Sequence, residues 1–271
     1  MKRTVFYISD GTGITAKALG RSLLTQFENQ EFTEISIPYV KDVAATKQAV
    51  DQIKQAFIQD GYKPLLFATL VNPTIHTMLS KSDGLLLDFF QTFIEPLEIE
   101  LGRKSSHTIG RTHGLQNYEN YMTRINAVHY ALNNDDGSNI RNYEQADFII
   151  VGVSRCGKTP TCLYIALQFG LNAANYPFTE EDMNELTIPN FLQPFRNKLF
   201  GLTIDANRLH KIREERRPNS PYSSLKQCKY EIDCVEVLFR KEKIPFLNTT
   251  TRSIEEISTE ILSITGVGRK F

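Results

Sequence analysis

Eight consecutive residues, Gly152-Val153-Ser154-Arg155-Cys156-Gly157-Lys158-Thr159, follow the pattern G-x-x-x-x-G-K-[ST]. Each fixed position has a chemical reason. Gly152 lets the chain leave a strand through a tight turn, and Gly157 brings backbone N–H groups close to phosphate oxygens with no Cβ in the way. A helix starting near Lys158 points its positive end at an anion. Lys158 reaches terminal phosphates, and the Thr159 hydroxyl suits Mg²⁺. Average residue usage gives a chance match of about one in a hundred in a chain of this length. The expected ligand is a nucleoside phosphate, wrapped by all eight residues.

Phosphoryl transfer on such a loop also calls for an acid at the end of a neighbouring strand. Asp205, closing the run Leu199-Phe200-Gly201-Leu202-Thr203-Ile204, is the first choice for orienting a metal or nucleophile. A helix N-cap ahead of Asn207 is its plainer reading. Asp10, in the turn Ser9-Asp10-Gly11-Thr12, is the second choice. Arg208, Lys211, Arg213, Arg216 and Arg217 either clamp a phosphoryl group or form a solvated face with Glu214 and Glu215. Gly11-x-Gly13-x-x-Ala16 has the outline of a dinucleotide fingerprint, but Tyr39-Val40-Lys41 ends the next strand without the acidic residue that motif needs. The loop Gly110-Arg111-Thr112-His113-Gly114 gathers a cation, a hydroxyl and an imidazole, for phosphate contact or simply at the surface. His76, His129 and His210 read as structural. Cys156 and Cys162, like Cys228 and Cys234, sit six apart, which is no zinc spacing. They read as reduced small hydrophobes of a cytoplasmic protein.

These residues need elements to hold them. Phe148-Ile149-Ile150-Val151 is an apolar strand running into the loop. After the loop, Cys162, Ile165, Ala166 and Phe169 form a helical face that Gly170 stops, and Pro160 falls in the first turn, where its missing N–H costs little. Residues 199–204 and 244–247 read as strands. A long amphipathic helix follows Pro221, and Ser253 with Glu256 caps a last helix carrying Ile254, Ile257, Ile261 and Ile264. Earlier, residues 4–8, 33–39 and 65–71 read as strands, separated by helices with Leu19, Leu23 and Phe27, then Val50, Ile53 and Phe57, on one face. That order, βαβαβ, predicts a doubly wound sheet. The run Asn133-Asn134-Asp135-Asp136-Gly137-Ser138-Asn139 is rich in turn formers and is the expected boundary. The predicted fold class is α/β: an N-terminal doubly wound domain, 1–140, and a C-terminal P-loop NTPase-like domain, 141–271. No internal repeat is visible.

Composition narrows the partners. The 271 residues carry 31 Lys+Arg against 31 Asp+Glu, so no global field attracts nucleic acid or anionic membrane. No stretch approaches the roughly 18 apolar residues of a membrane span. The basic start Met1-Lys2-Arg3 leads into a strand rather than a signal peptide.

The segment Gly152 to Thr161 resembles the P-loop of the bifunctional kinase/pyrophosphorylase regulators of pyruvate-phosphotransferring enzymes. Ile8-Ser9-Asp10-Gly11-Thr12, Arg111-Thr112-His113-Gly114, Asp135-Asp136-Gly137 and Gly201-Leu202-Thr203-Ile204-Asp205 resemble the same family, so the likeness spans nearly the whole chain. Ala173-Ala174-Asn175-Tyr176-Pro177-Phe178 and Ile212-Arg213-Glu214-Glu215-Arg216-Arg217 resemble the phosphoenolpyruvate synthetase branch more than the pyruvate, phosphate dikinase branch. The resemblance implies ADP-dependent phosphorylation of a threonine on the synthetase, which switches it off. It also implies reversal by inorganic phosphate with release of pyrophosphate. Lys158 and Thr159, with Mg²⁺, would hold the phosphoryl group, and the N-terminal domain would shape the cleft or dock the protein. A homodimer is compatible with this reading. The family commonly has His where Asn134 stands, so no imidazole base is available there; Gly110 and Cys162 also depart from the usual His and Ser. No H-R-D-x-x-x-x-N or D-F-G is present, which excludes the eukaryotic protein-kinase pattern. The loop alone fits a small-molecule kinase or a non-catalytic nucleotide sensor equally well.

Overall fold

The computed structural model describes residues 2–106 and 118–270. The chain divides into two compact units, 1–116 and 117–271, each with its own core.

The first unit runs β1 (Lys2–Ser9), α1 (Ile14–Leu24), β2 (Glu31–Ile37), α2 (Val43–Asp60), β3 (Leu65–Thr69), α3 (Pro73–Ser80), β4 (Leu85–Asp88) and α4 (Phe89–Leu101). The strands are parallel in the order β2-β1-β3-β4. Parallel neighbours need crossover helices, and strands covered on both faces become apolar along their length. Val5 to Ile8 of β1 are accordingly all fully buried. Alternate side chains feed opposite layers. Phe6 and Ile8 meet Ala49, Ile53, Ile75 and Leu79 of α2 and α3, while Val5 and Tyr7 join Ala16, Leu24 and Phe89 of α1 and α4. The doubly wound sheet is therefore present. Its fourth strand is too short to show a pattern in the sequence.

The buried face of α1 differs from the stripe read in the sequence. Ala16, Gly20 and Leu24 point inward, and Leu19, Leu23 and Phe27 are 43%, 49% and 65% exposed. The reason is close approach: a Cβ on Gly20 would lie 2.7 Å from the Tyr7 ring and 2.8 Å from that of Phe67. Large aromatic rings on the sheet require small residues on the helix above them. Strand β2 also ends earlier than its alternation suggests. Tyr39 lies beyond it at φ 58, with its N–H donated to the Gly11 carbonyl.

The second unit comprises α5 (Tyr118–Asn133), β5 (Phe148–Gly152), α6 (Lys158–Phe169), β6 (Ala173–Pro177), α7 (Glu180–Glu185), β7 (Leu199–Thr203), α8 (Ala206–Arg216), α9 (Leu225–Lys241), β8 (Phe246–Asn248) and α10 (Ile254–Thr265). Its strands are parallel in the order β6-β5-β7-β8. Counted from the start of each unit, the two orders are the same, a repeat of topology that the residues themselves do not display. Helix α5 packs on α6, and the turn after it packs on β6. The turn-rich residues 133–139 thus lie inside the second unit, and the chain divides ahead of them, after Gln116, rather than at 140/141. Gly170, at φ 68, ends α6, and Ser253 with Glu256 forms a reciprocal cap on α10. All four cysteines are free. Among the described residues no helix is long and apolar enough to cross a membrane.

Candidate functional site

Strand β5 is flanked by β6 on one side and β7 on the other, so the loop after it sits where the winding reverses, the place where open α/β sheets bind ligands. Gly152, at φ 151, passes so close to β7 that a Cβ would collide with the Leu202 carbonyl oxygen. Gly157, at φ 98, turns the chain into α6. Both glycines are required by their backbone geometry. The Lys158 side chain is 4% exposed, with Nζ donating to the Val153 carbonyl at 2.9 Å beneath the loop. Asp136, Ser154, Arg155, Gly157, Lys158, Thr159 and Pro160 line a pocket of about 210 Å³.

The loop is gripped from outside. Thr249 Oγ1 donates to the Cys156 carbonyl at 3.1 Å. Arg213 Nη2 donates to the Ser154 carbonyl at 3.1 Å, and the Tyr222 hydroxyl donates to Ser154 Oγ at 3.0 Å. Arg213 is fully buried, stacks on the Tyr222 ring at 4.1 Å and pairs with Glu231 through contacts of 3.1 and 2.5 Å. It thus departs from both sequence readings: it lies behind the loop instead of in solvent or at a phosphate. Cys156 is buried under the loop, and burial pushes its thiol pKa up, so it stays a neutral packing group.

The acid at the pocket comes from an unexpected place. Asp135 Oδ1 accepts from Thr159 Oγ1 at 2.7 Å and also from Asn175 Nδ2. Asn175 Oδ1 in turn accepts the Asp136 N–H at 3.1 Å. Asn175 is fully buried on β6, so it fixes both aspartates against the loop. Asp136 adopts φ 48, ψ 36, a left-handed conformation that costs a non-glycine residue about 1–2 kcal/mol, and its side chain is exposed at the pocket. In the sequence these residues read first as turn formers. The motif Asp135-Asp136-Gly137 was the signal that could have found them. Asn134 is buried, its amide donating to the Tyr130 carbonyl at 2.7 Å, which is a structural placement.

Asp205 is exposed, and its Oδ1 accepts the N–H groups of Asn207 at 2.9 Å and Arg208 at 3.0 Å. It caps α8 and is not among the residues lining the pocket. Asp10 belongs to the first unit. It is 2% exposed, Oδ2 accepts the Val71 N–H at 2.7 Å, and burial raises its pKa. Gly13, at φ 77, opens α1 there. His210 Nδ1 contacts the Ser223 carbonyl at 2.5 Å, and His76 Nε2 lies 4.0 Å from Asp88 Oδ2, both structural settings. Residues 110–114 lie outside the described residues. Among those described, no cluster of three His, Cys, Asp or Glu side chains holds a metal unaided. Thr159, Asp135 and Asp136 do supply the hard oxygens that Mg²⁺ takes when it shares its shell with phosphates.

Comparison with known proteins gives the family of the chain. The kinase/pyrophosphorylase family matches residues 5–262. Relatives from Legionella pneumophila (strain Lens) and Pseudomonas fluorescens, each named "Putative phosphoenolpyruvate synthase regulatory protein", are 54% identical over 270 and 271 residues, covering 100% of each chain. One of the same name from Hahella chejuensis is 54% identical over 269 residues, covering 99% of each.

Proposed function

Because the chain belongs to the kinase/pyrophosphorylase family, we propose that it phosphorylates a threonine of phosphoenolpyruvate synthase with ADP and removes that phosphate with inorganic phosphate, at one loop site. In the forward direction the threonine oxygen attacks the β-phosphorus of ADP. The bond from that phosphorus to the bridging oxygen breaks, AMP leaves, and the threonine proton passes to a carboxylate. In the reverse direction an oxygen of inorganic phosphate attacks the phosphothreonine phosphorus. The P–Oγ bond breaks, the threonine oxygen regains a proton, and pyrophosphate leaves.

The observation that carries this reading is the convergence of Lys158, Thr159, Asp135 and Asp136 on the loop after β5. The loop amides, the start of α6 and Lys158 hold and neutralise the phosphoryl oxygens. Asp136, exposed at the pocket, takes the threonine proton, and Asp135 orients Thr159. Mg²⁺, held by Thr159 with Asp135, would neutralise phosphate charge when bound. Such a site works mainly by positioning and charge stabilisation. The test is mass spectrometry of the synthase after incubation with this protein and ADP. A phosphothreonine is expected; phosphate on a small molecule instead, or on nothing, would contradict the proposal.

A further inference from the structure

Arg155 stands apart from the rest of the loop. Its backbone lies at φ 75, which a non-glycine residue rarely adopts. The peptide before it is pinned at the Ser154 carbonyl by Arg213 at 3.1 Å, and the loop is pinned again one residue further on, at the Cys156 carbonyl, by Thr249 at 3.1 Å. Because Arg213 is itself buried and paired with Glu231, the grip is rigid. Strain maintained this firmly at a ligand pocket points to function. The Arg155 side chain is exposed and lines the pocket beside Lys158 and Thr159. Among the described residues it makes no hydrogen bond or ion pair.

The proposed chemistry supplies a task for such a guanidinium. Phosphorolysis brings two phosphate groups together, each carrying about −1.5 to −2 charge. Lys158 is committed beneath the loop, on the side of the Val153 carbonyl. It can serve one phosphate with the loop amides. The second approaches from outside, where Arg155 is the exposed cation lining the pocket. A guanidinium fork matches phosphate oxygens in a bidentate fashion, with a specificity an ammonium lacks.

We propose that Arg155 binds the phosphate carried by the protein substrate, so that the loop amides and Lys158 hold one phosphate while Arg155 recognises the phosphothreonine. This rests on the function proposed above and assigns one residue to its protein-side substrate. Arg155→Gly is the informative variant, since glycine accepts φ 75 and the loop keeps its path. Phosphate-dependent removal is measured on the phosphorylated synthase, ADP binding by calorimetry, and folding by thermal melting. The expected result is a KM for the phosphorylated synthase raised about tenfold or more, the scale of one charge-assisted hydrogen bond. ADP affinity should fall much less, and Arg155→Lys should restore part of the loss. An unchanged KM, or a loss of ADP affinity as large as the rise in KM, would overturn this assignment alone. Wild-type protein inert toward the phosphorylated synthase would overturn the proposed function and this assignment with it.

Discussion

Asp205 and Asp136 differ in what their oxygens already hold. One oxygen of Asp205 is engaged by two backbone N–H groups of α8, whereas Asp136 faces the pocket. Asp205→Ala should therefore cost about 1 kcal/mol of stability, the value of a helix cap, and leave transfer from ADP nearly intact. Asp136→Asn should lower that transfer by about a hundredfold or more with little change in melting, if it accepts the threonine proton. Rate and thermal denaturation measured on both variants check the contrast; equal activity losses would contradict it. Asp88 makes a separate prediction. Its Oδ1 caps α4 while Oδ2 is buried without a hydrogen-bond partner, and burial raises the carboxyl pKa above its ordinary value. A raised carboxyl favours folding in its protonated form. That contribution is complete below the unfolded pKa and is lost as pH rises through the folded one. Asp88→Asn keeps a capping oxygen and removes the charge. Its stability relative to wild type should therefore improve between about pH 4 and about pH 7. Melting curves at both pH values test the sign.

At the scale of elements, the glycine at the centre of α1 illustrates what a sequence pattern can hide. Leu19 and Phe27 form an apolar stripe, yet both are exposed, while Gly20 sits against Tyr7 and Phe67. Leu19→Ser and Phe27→Ser should each change stability by no more than about 0.5 kcal/mol, whereas Gly20→Val should destabilise by about 1–3 kcal/mol through overpacking. Denaturant titrations would show the order. The strand before the phosphate loop, the loop and α6 were legible because their signal is local: an apolar run, glycines at fixed spacing, and a helical face closed by Gly170. Strand β4 and the place of Asp135 and Asp136 at the loop were not. The first is only four residues long, and the second gains its meaning from Asn175, forty positions away from Asp135. The burial of Arg213 is hidden for the same reason, because its partner Glu231 lies on another helix, α9. Removing one partner of this buried pair, as in Glu231→Leu, strands a buried guanidinium and should cost about 3–5 kcal/mol. Replacing both with Met and Leu should recover most of that loss, and calorimetric melting of the two variants beside the wild type checks it.

Across the whole molecule, two units wind their strands in the same order, but they treat the turn after the first strand differently. In the first unit that turn carries buried Asp10, whose carboxylate is bonded to the Val71 N–H. In the second it carries two glycines at positive φ and Lys158. A buried carboxylate repels phosphate, while loop amides with a lysine attract it, so the second unit is the better fit for the proposed phosphate chemistry. With no net charge, the chain offers its partner local recognition rather than a global field. Both directions of the proposed reaction should then depend on Lys158. The most direct test incubates phosphoenolpyruvate synthase with ADP, or its phosphorylated form with inorganic phosphate, in the presence of wild-type protein or folded Lys158→Ala. Threonine phosphorylation and phosphate-dependent release of pyrophosphate are expected of the wild type, with loss of both in the variant. A folded Lys158→Ala protein that retains either reaction at full rate would contradict the single-site proposal.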